Sequence, residues 1–306
     1  MDRNVVKIGS EKETSKIYIA SNPCIVLMLP NRAVLAYDFS KSMKKLLERL
    51  QDLKKVGVEE LILLYISDMT RSGFHGQISK GKSKEKLEIV RKKIEEMDFE
   101  SVEKDVLFGF PADEIAEYAR KKDALILIGS HGRGVIKNVF LGGTAYDIIR
   151  KAKTPVLVEK VRSDSIPESI CRKVLLPTDF SKDSRRMLDL LENADLPIEE
   201  ILLLSVIEES ESREELEEKR KGLESKLEDV KERFENKSLS ENIEYKVKEG
   251  TASRVISKIA KEEKVSLICM PNRGHGGLKE IIIGTTAKEV TRLSPVPVLL
   301  FPREYL

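Results

Sequence analysis

Two glycine clusters that lead into a helix are the residues of this sequence best suited to hold a charged ligand. The strand-like run at 124–128 leads into Gly129 and Gly132, and nine residues separate Gly132 from Gly142, which opens a predicted helix. Glycine lets the backbone turn sharply and approach a ligand closely, and a helix N-terminus offers N–H groups and a partial positive charge. With the hydroxyl of Thr144 nearby, the pattern predicts a loop that can wrap a phosphate chain. The alternative is that these glycines only form tight turns and cap helices.

The same loop occurs twice, because the chain is an internal duplication. Matching blocks recur in one order in both halves: VLAYDFS (34–40) and LLPTDFS (175–181), Gly109 and Gly250, LILIGSHGRGVIKNVFLGGTA (125–145) and LICMPNRGHGGLKEIIIGTTA (267–287), and TPVLVEK (154–160) and VPVLLFP (296–302). A repeat of about 140 residues is a typical domain size. We therefore expect an N-terminal extension at 1–31, a first domain at 32–160, a polar linker at 161–170 and a second domain at 171–306.

Each half alternates apolar strands with amphipathic helices. The second half has strand-like runs at 173–180 and 198–207, and then a charge-rich helix from about 214 to 234 with one apolar stripe. Such a pattern predicts a mostly parallel sheet covered on both faces, so the expected class is α/β with two tandem doubly wound domains. These sheets bind ligands at the carboxyl ends of their strands, where the strand order reverses. Asp38 and Asp179, which each follow the first strand of a half, belong to that edge.

The motif spacing, the element order and the closing PVLV-type strand together resemble the universal stress protein (UspA-like) family. The resemblance covers about residues 32–160 and 171–302. It implies a five-stranded, Rossmann-like parallel α/β domain of the adenine nucleotide alpha hydrolase type, which dimerises. Many members of the family bind ATP or AMP at the carboxyl edge of the sheet, whereas others that lack the glycine motif bind no nucleotide.

The family's nucleotide-binding residues match particular positions of this sequence. The acid after the first strand, which faces the adenosine in the family, matches Asp38 and Asp179. The residue at the end of the second strand, whose backbone meets adenine, matches Ile66 and Val206. The motif glycines and the small or hydroxyl residues that follow them match Gly129, Gly132, Gly142, Gly143, Thr144, Gly274, Gly284, Thr285 and Thr286, and Pro177 of the LLPTDFS block completes the predicted set.

Neither half carries the full family pattern. The first half keeps all three glycines, but Gly143 stands where the family has a serine or threonine. The second half keeps that hydroxyl at Thr285, but Pro271 replaces the first glycine. Proline lacks an N–H and fixes φ, so Pro271 either removes a donor or is harmless if that N–H is never used. We expect both halves to bind nucleotide.

A second phosphate-binding motif is present in form only. Residues 76–83 read GQISKGKS, which fits the P-loop pattern G-x4-G-K-S. A true P-loop begins directly after a strand, whereas nine residues separate Ile66 from Gly76, and the second half has no counterpart. We interpret this segment as a flexible basic loop, with a lid over the nucleotide site as one role; as such a lid residue, Lys82 could touch phosphate.

Composition excludes several other classes of protein. The 306 residues carry 54 basic and 52 acidic side chains, a net charge of +2, which lacks the strongly basic balance of a dedicated nucleic-acid binder. No run approaches the ~20 apolar residues of a membrane helix, and the polar N-terminus has no signal-peptide pattern. We therefore expect a cytoplasmic protein with no nucleic-acid or membrane partner.

The sequence contains no clear set of catalytic or metal-binding residues. The three histidines fall in predicted loops without metal-ligand spacing, and the three cysteines are far apart. No nucleophile elbow or zinc-protease motif is present. No catalytic or metal-ligating residue is predicted, and Asp38 and Asp179 are expected to accept hydrogen bonds from a ligand or to cap the next helix.

Three functions are compatible with these observations. The preferred one is a regulatory or sensing module of the stress response that binds ATP or AMP, with or without Mg²⁺. The alternatives are an NTP hydrolase, of the P-loop type or slow at Asp38 and Asp179, and a dimeric scaffold that binds no nucleotide. We expect the two repeats to pack together as an intramolecular pseudo-dimer, and the chain to form a further homodimer.

Overall fold

A computed structural model describes residues 29–40, 43–69, 76–130, 141–160, 169–194, 196–274 and 283–306. Both halves follow the expected alternation of strands and helices. The first half contains β1 (Arg32–Ala36), α1 (Met43–Lys55), β2 (Glu60–Asp68), α2 (Gly76–Glu95), β3 (Ser101–Gly109), α3 (Pro111–Lys122), β4 (Leu125–Gly129), α4 (Gly143–Lys151) and β5 (Val156–Glu159). The second half contains β6 (Lys173–Pro177), α5 (Lys182–Glu192), β7 (Glu200–Ile207), α6 (Arg213–Asn236), β8 (Asn242–Glu249), α7 (Ala252–Glu262), β9 (Leu267–Pro271), α8 (Thr285–Leu293) and β10 (Val298–Phe301).

The described strands form one ten-stranded sheet in the order β3-β2-β1-β4-β5-β10-β9-β6-β7-β8. Within each half every pairing is parallel, and the strand order reverses between β1 and β4 and again between β6 and β9. The halves join through β5 and β10, which pair antiparallel with Leu157 opposite Leu299. The contact between repeats that the duplication predicts is therefore a shared sheet edge.

Apolar packing covers both faces of this sheet, as its continuous hydrophobic strands require. On one face, α1, α2, α5 and α6 bury residues such as Leu50 and Phe234 against the strands. On the other face, α3, α4, α7 and α8 do the same with residues such as Ile148 and Ile259. Each of the two cores includes residues from both halves, so burial of apolar surface stabilises the junction of the halves as well as each half.

Local sequence explains several helix boundaries. The hydroxyl of Ser181 accepts a hydrogen bond from the backbone N–H of Ser184, which confirms Ser181 as the N-cap of α5. Ser212 caps α6 in the same way through Glu215. The helix predicted from about 214 to 234 extends from Arg213 to Asn236, with Leu227, Val230 and Phe234 buried along its apolar stripe.

The interpretation of residues 76–83 as a flexible loop is wrong. These residues form the first two turns of α2, whose later residues Leu87 and Ile94 are buried against the sheet. A P-loop needs its glycines and lysine in a loop that encircles phosphate before the helix begins, which a continuous helix excludes. The structure therefore also removes the P-loop form of the hydrolase alternative.

Two sequence expectations fall on residues outside the described ranges: the extension at 1–31, apart from its last three residues, and most of the linker at 161–170. Among the helices that are described, none combines the length and apolar character needed to cross a membrane.

Candidate functional site

The second half contains a cavity of about 300 Å³ at the carboxyl ends of β6, β7 and β9. It lies at the reversal of strand order, where the loops that follow β6 and β9 diverge and leave a crevice between them. Every residue that the sequence predicted for this half lines the cavity: Pro177, Asp179, Val206, Gly274, Gly284, Thr285 and Thr286. Pro271 lies there as well. The fold thus brings five separate segments of the chain together around one space, four of which carry the residues named here.

The carboxylate of Asp179 is held in place at the entrance to α5. Its Oδ1 accepts a hydrogen bond from the backbone N–H of Ser181 at 2.9 Å and another from the hydroxyl of Ser184. Phe180 bends the chain here with a left-handed φ of 54°. In the first half, Phe39 has a φ of 58° and Asp38 Oδ1 accepts from the N–H of Ser40 at 2.9 Å. The two acids therefore have the same local geometry in both repeats.

Gly274 approaches this carboxylate closely. A Cβ atom at position 274 would lie only 2.7 Å from Asp179 Oδ2, which is below van der Waals contact. The absence of a side chain therefore lets the backbone of the β9 loop approach the Asp179 carboxylate, so that both can face the same ligand across the crevice.

The third glycine of the motif fixes the loop to the helix. The N–H of Gly284 donates to the carbonyl oxygen of Asn272 at 2.8 Å, and the N–H of Gly142 donates to that of Ser130 at 2.9 Å. Gly284 and Gly142 are the N-caps of α8 and α4, and neither helix has a side-chain cap. The first N–H groups of an α-helix have no partner within the helix, so those that follow these glycines are directed to the carboxyl edge of the sheet.

The strand geometry decides between the two roles considered for Pro271. The N–H groups of Ile268 and Asn272 both donate toward β10, to the carbonyls of Pro297 and Phe301 at 3.1 and 2.8 Å. Because successive residues of a strand point their N–H groups to opposite sides, position 271 directs its backbone nitrogen toward β6 and the cavity. Proline therefore removes a donor from the site.

The first half retains that donor. The N–H groups of Ile126 and Ser130 donate toward β5, each at 2.9 Å, so the N–H of Gly129 points to the opposite side, toward β1. At the first-half edge, Asp38 and Gly129 are partly exposed, Ile66 is buried, and Gly142, Gly143 and Thr144 form the start of α4. Gly132 lies outside the described residues.

Two residues that the sequence reading missed also contribute to the second-half cavity. Arg273 lines it, and its Nε atom is buried with no hydrogen-bond partner in the described part of the chain. Glu208 also lines the cavity and accepts a hydrogen bond at 2.8 Å from the N–H of Ala252, at the start of α7. The position of Arg273 between two motif residues could have identified it, whereas Glu208 is one of several acids in its loop.

This arrangement defines a class: a tandem of Rossmann-like, doubly wound α/β domains, each with an uncapped helix start at its strand-order reversal. The model of the Universal stress protein family matches residues 30–160 and 171–302. The chain belongs to the universal stress protein family.

Individual relatives agree with this assignment. Universal stress protein MJ0577 of Methanocaldococcus jannaschii is 34% identical over 155 residues, which are 44% of this chain and 96% of that protein. Universal stress protein Mb2028c of Mycobacterium bovis is 24% identical over 212 residues, or 65% of this chain and 68% of that one. The crystal structure of a universal stress protein from Archaeoglobus fulgidus DSM 4304 matches with a TM-score of 0.67 at 27% identity, covering 89% of this chain and 98% of that chain.

Proposed function

We propose that each half binds one adenine nucleotide, ATP or AMP, and that the chain is a regulatory or sensing module of the stress response. The observation that carries the proposal is the convergence of the predicted second-half residues on one cavity of about 300 Å³. That volume lies at the lower end of the range for small-molecule sites, and the cavity combines an apolar floor with a few polar groups, as such sites do.

In the proposed complex, the adenine lies against the backbone of Val206 and the Asp179 carboxylate faces the adenosine. The phosphates lie at Gly274 and at the first residues of α8, where N–H groups and the hydroxyls of Thr285 and Thr286 are available as donors. Arg273 supplies a positive charge at the same edge of the cavity. A helix start, local donors and one cation can hold phosphate without a basic surface, which is consistent with the net charge of +2.

In the first half, the same roles fall to Ile66 for the adenine, Asp38 for the adenosine, and Gly129, Gly142 and the start of α4 for the phosphates. A sensing role requires that ATP and AMP favour different states of the protein, because a ligand shifts an equilibrium only by its difference in affinity for the two states.

Titration of the full chain tests the proposal. Isothermal calorimetry with ATP, ADP and AMP, with and without Mg²⁺, is expected to show binding in the micromolar range, and native mass spectrometry is expected to show two nucleotides per chain. GTP serves as the control, because a site that meets adenine through a backbone edge is expected to bind guanine more weakly. The same spectra report whether the chain forms the homodimer expected from the sequence. Failure to bind any adenine nucleotide at millimolar concentration would contradict the proposal.

The first half offers a matched test at Gly143, where the family hydroxyl is missing. No atom of the described residues lies within 4 Å of a Cβ built at position 143, so these residues leave open space there for a side chain. Gly143→Thr is expected to tighten first-half binding by about 1 kcal/mol, or roughly five-fold in Kd, because it adds one donor to phosphate. Gly143→Val is the control, since it has the same shape and the same effect on the backbone but no hydroxyl. Equal affinities of the two variants would show that the hydroxyl contributes nothing.

A further inference from the structure

The first half places a buried amine against the second-half site. Lys160 directly follows β5 and is only 7% exposed. Its Nζ donates hydrogen bonds to the carbonyl oxygens of Thr291 and Arg292, the latter at 3.4 Å. Both carbonyls belong to the last turn of α8, so the contact crosses the junction between the halves.

This contact provides hydrogen-bond donors to two carbonyl groups at the C-terminal end of α8. The last four carbonyls of an α-helix have no N–H partner within the helix, and a cation at this end interacts favourably with the helix dipole. Burial lowers the pKa of Lys160 to about 8, an effect that the Glu159 carboxylate opposes and Arg292 reinforces. At neutral pH the amine therefore remains mostly protonated and can donate to both carbonyls.

The opposite end of α8 is part of the cavity. Thr285 and Thr286 are its first two residues, and both line the site. The helix has nine residues, so its two ends are separated by roughly 12 Å of a rigid element with a rise of 1.5 Å per residue. A displacement at Thr291 is therefore transmitted to the N–H groups at the start of the helix.

The pseudo-symmetry of the sheet identifies the second-half position that corresponds to Lys160, and the residue there cannot make the same contact. The pair Leu157 and Leu299 lies at the centre of the β5–β10 register, so Lys160 of the first half corresponds to Pro302 of the second. Proline has no amine that could reach the last turn of α4. Pro302 therefore cannot make the equivalent contact with α4.

We propose that Lys160 is a positioning residue for the second-half nucleotide site: it holds α8 from its carboxyl end and so couples the junction of the halves to the affinity of that site alone. This inference rests on the proposed nucleotide binding. By linkage, a nucleotide bound in the second half must stabilise the Lys160 contact by the same free energy that the contact contributes to binding.

The test uses two parent variants that each retain one functional site. Gly143→Glu places a carboxylate at the start of α4, which blocks the first-half site and leaves the second-half site functional. Thr285→Glu blocks the second-half site and leaves the first-half site functional. In the Gly143→Glu parent, Lys160→Met is expected to weaken ATP binding about ten-fold, within the usual range of coupling between sites. In the Thr285→Glu parent, the same change is expected to leave ATP binding unaltered. Lys160→Arg, which keeps the charge and the donors, is expected to restore most of the loss.

Hydrogen exchange separates this inference from the proposed function, because it needs no nucleotide. Without ligand, Lys160→Met is expected to reduce protection of the amides at 288–293 in α8, while those at 146–151 in α4 keep theirs. Equal loss in both helices, or equal loss of affinity in both parents, would indicate general destabilisation and overturn the inference. Unchanged hydrogen exchange in α8 would also overturn the inference. If the Gly143→Glu parent binds no ATP but the exchange result is as expected, the helix contact stands and the proposed second-half nucleotide site fails.

Discussion

Thr285→Glu is expected to eliminate nucleotide binding in the second half while the fold stays intact. Thr285 is the first residue of α8 and is exposed, and an acidic residue in the first turn of a helix is favourable by about 0.5 kcal/mol. The same carboxylate occupies the proposed phosphate position and repels the ligand. We expect at least a ~100-fold loss of affinity, or ~2.7 kcal/mol, at this site. Native mass spectrometry should show the number of bound ATP molecules falling from two to one.

Gly143→Glu is the counterpart in the first half, where the described residues leave open space around a Cβ at position 143. It is also expected to leave one nucleotide per chain, and the double variant none. Thr285→Ser and Gly143→Ala are the controls, since they change the same positions without adding charge. Retention of two nucleotides in the double variant, with normal thermal unfolding, would exclude the helix starts as the phosphate sites.

Arg49→Met is expected to cause the largest loss of stability. Arg49 and Glu159 are each 1% exposed, and Arg49 Nε lies 2.9 Å from Glu159 Oε2, while its Nη1 contacts Asp52 at 2.5 Å. Removing one partner of a buried ion pair typically costs about 3–5 kcal/mol. Urea unfolding followed by circular dichroism should show a decrease of this size in the free energy of unfolding.

The second half supplies the control for this prediction. The positions of Arg49 and Glu159 correspond to Leu190 and Phe301, which both belong to the apolar packing on the same face of the sheet. Arg49→Leu combined with Glu159→Phe, and with Asp52→Asn to match Asn193 of the second half, is therefore expected to recover most of the lost stability, to within about 1.5 kcal/mol of the parent, because replacement of a whole buried ion-paired group is often neutral. If the triple variant is as unstable as Arg49→Met, the cost arises from lost packing rather than from the broken ion pairs.

Much of the fold was accessible from the sequence because the duplication shows each pattern twice. Apolar strand runs and helix stripes report burial directly, and the alignment of the repeats pairs Asp179 with Asp38 without any structural information. The same comparison identified the loop and helix start that line the second-half cavity. These features depend on local residue patterns or on the order of the elements along the chain, and both can be read from the sequence.

Other features depend on contacts between distant residues. Lys160 meets Thr291, and Arg49 meets Glu159, only because of how the strands and helices pack, and no local spacing encodes either pair. Residues 76–83 were misread because two glycines and two serines suggested a loop, whereas the apolar residues further along α2 commit the segment to a helix that packs on the sheet. Tertiary burial overrides weak local propensity in such a case.

Antiparallel pairing of β5 with β10 inside one polypeptide has a consequence for inheritance as well as for packing. When two identical chains meet at such an edge, each substitution appears on both sides, so neither side can change alone. Here the residues on the two sides of the junction are encoded separately, so each side can change alone. The two sides already differ, because Lys160 follows β5 in one half and Pro302 follows β10 in the other. The tether also keeps the partners at high effective concentration, so dilution does not exchange them. The molecule is in effect a covalent heterodimer, with one partner of each kind in every copy.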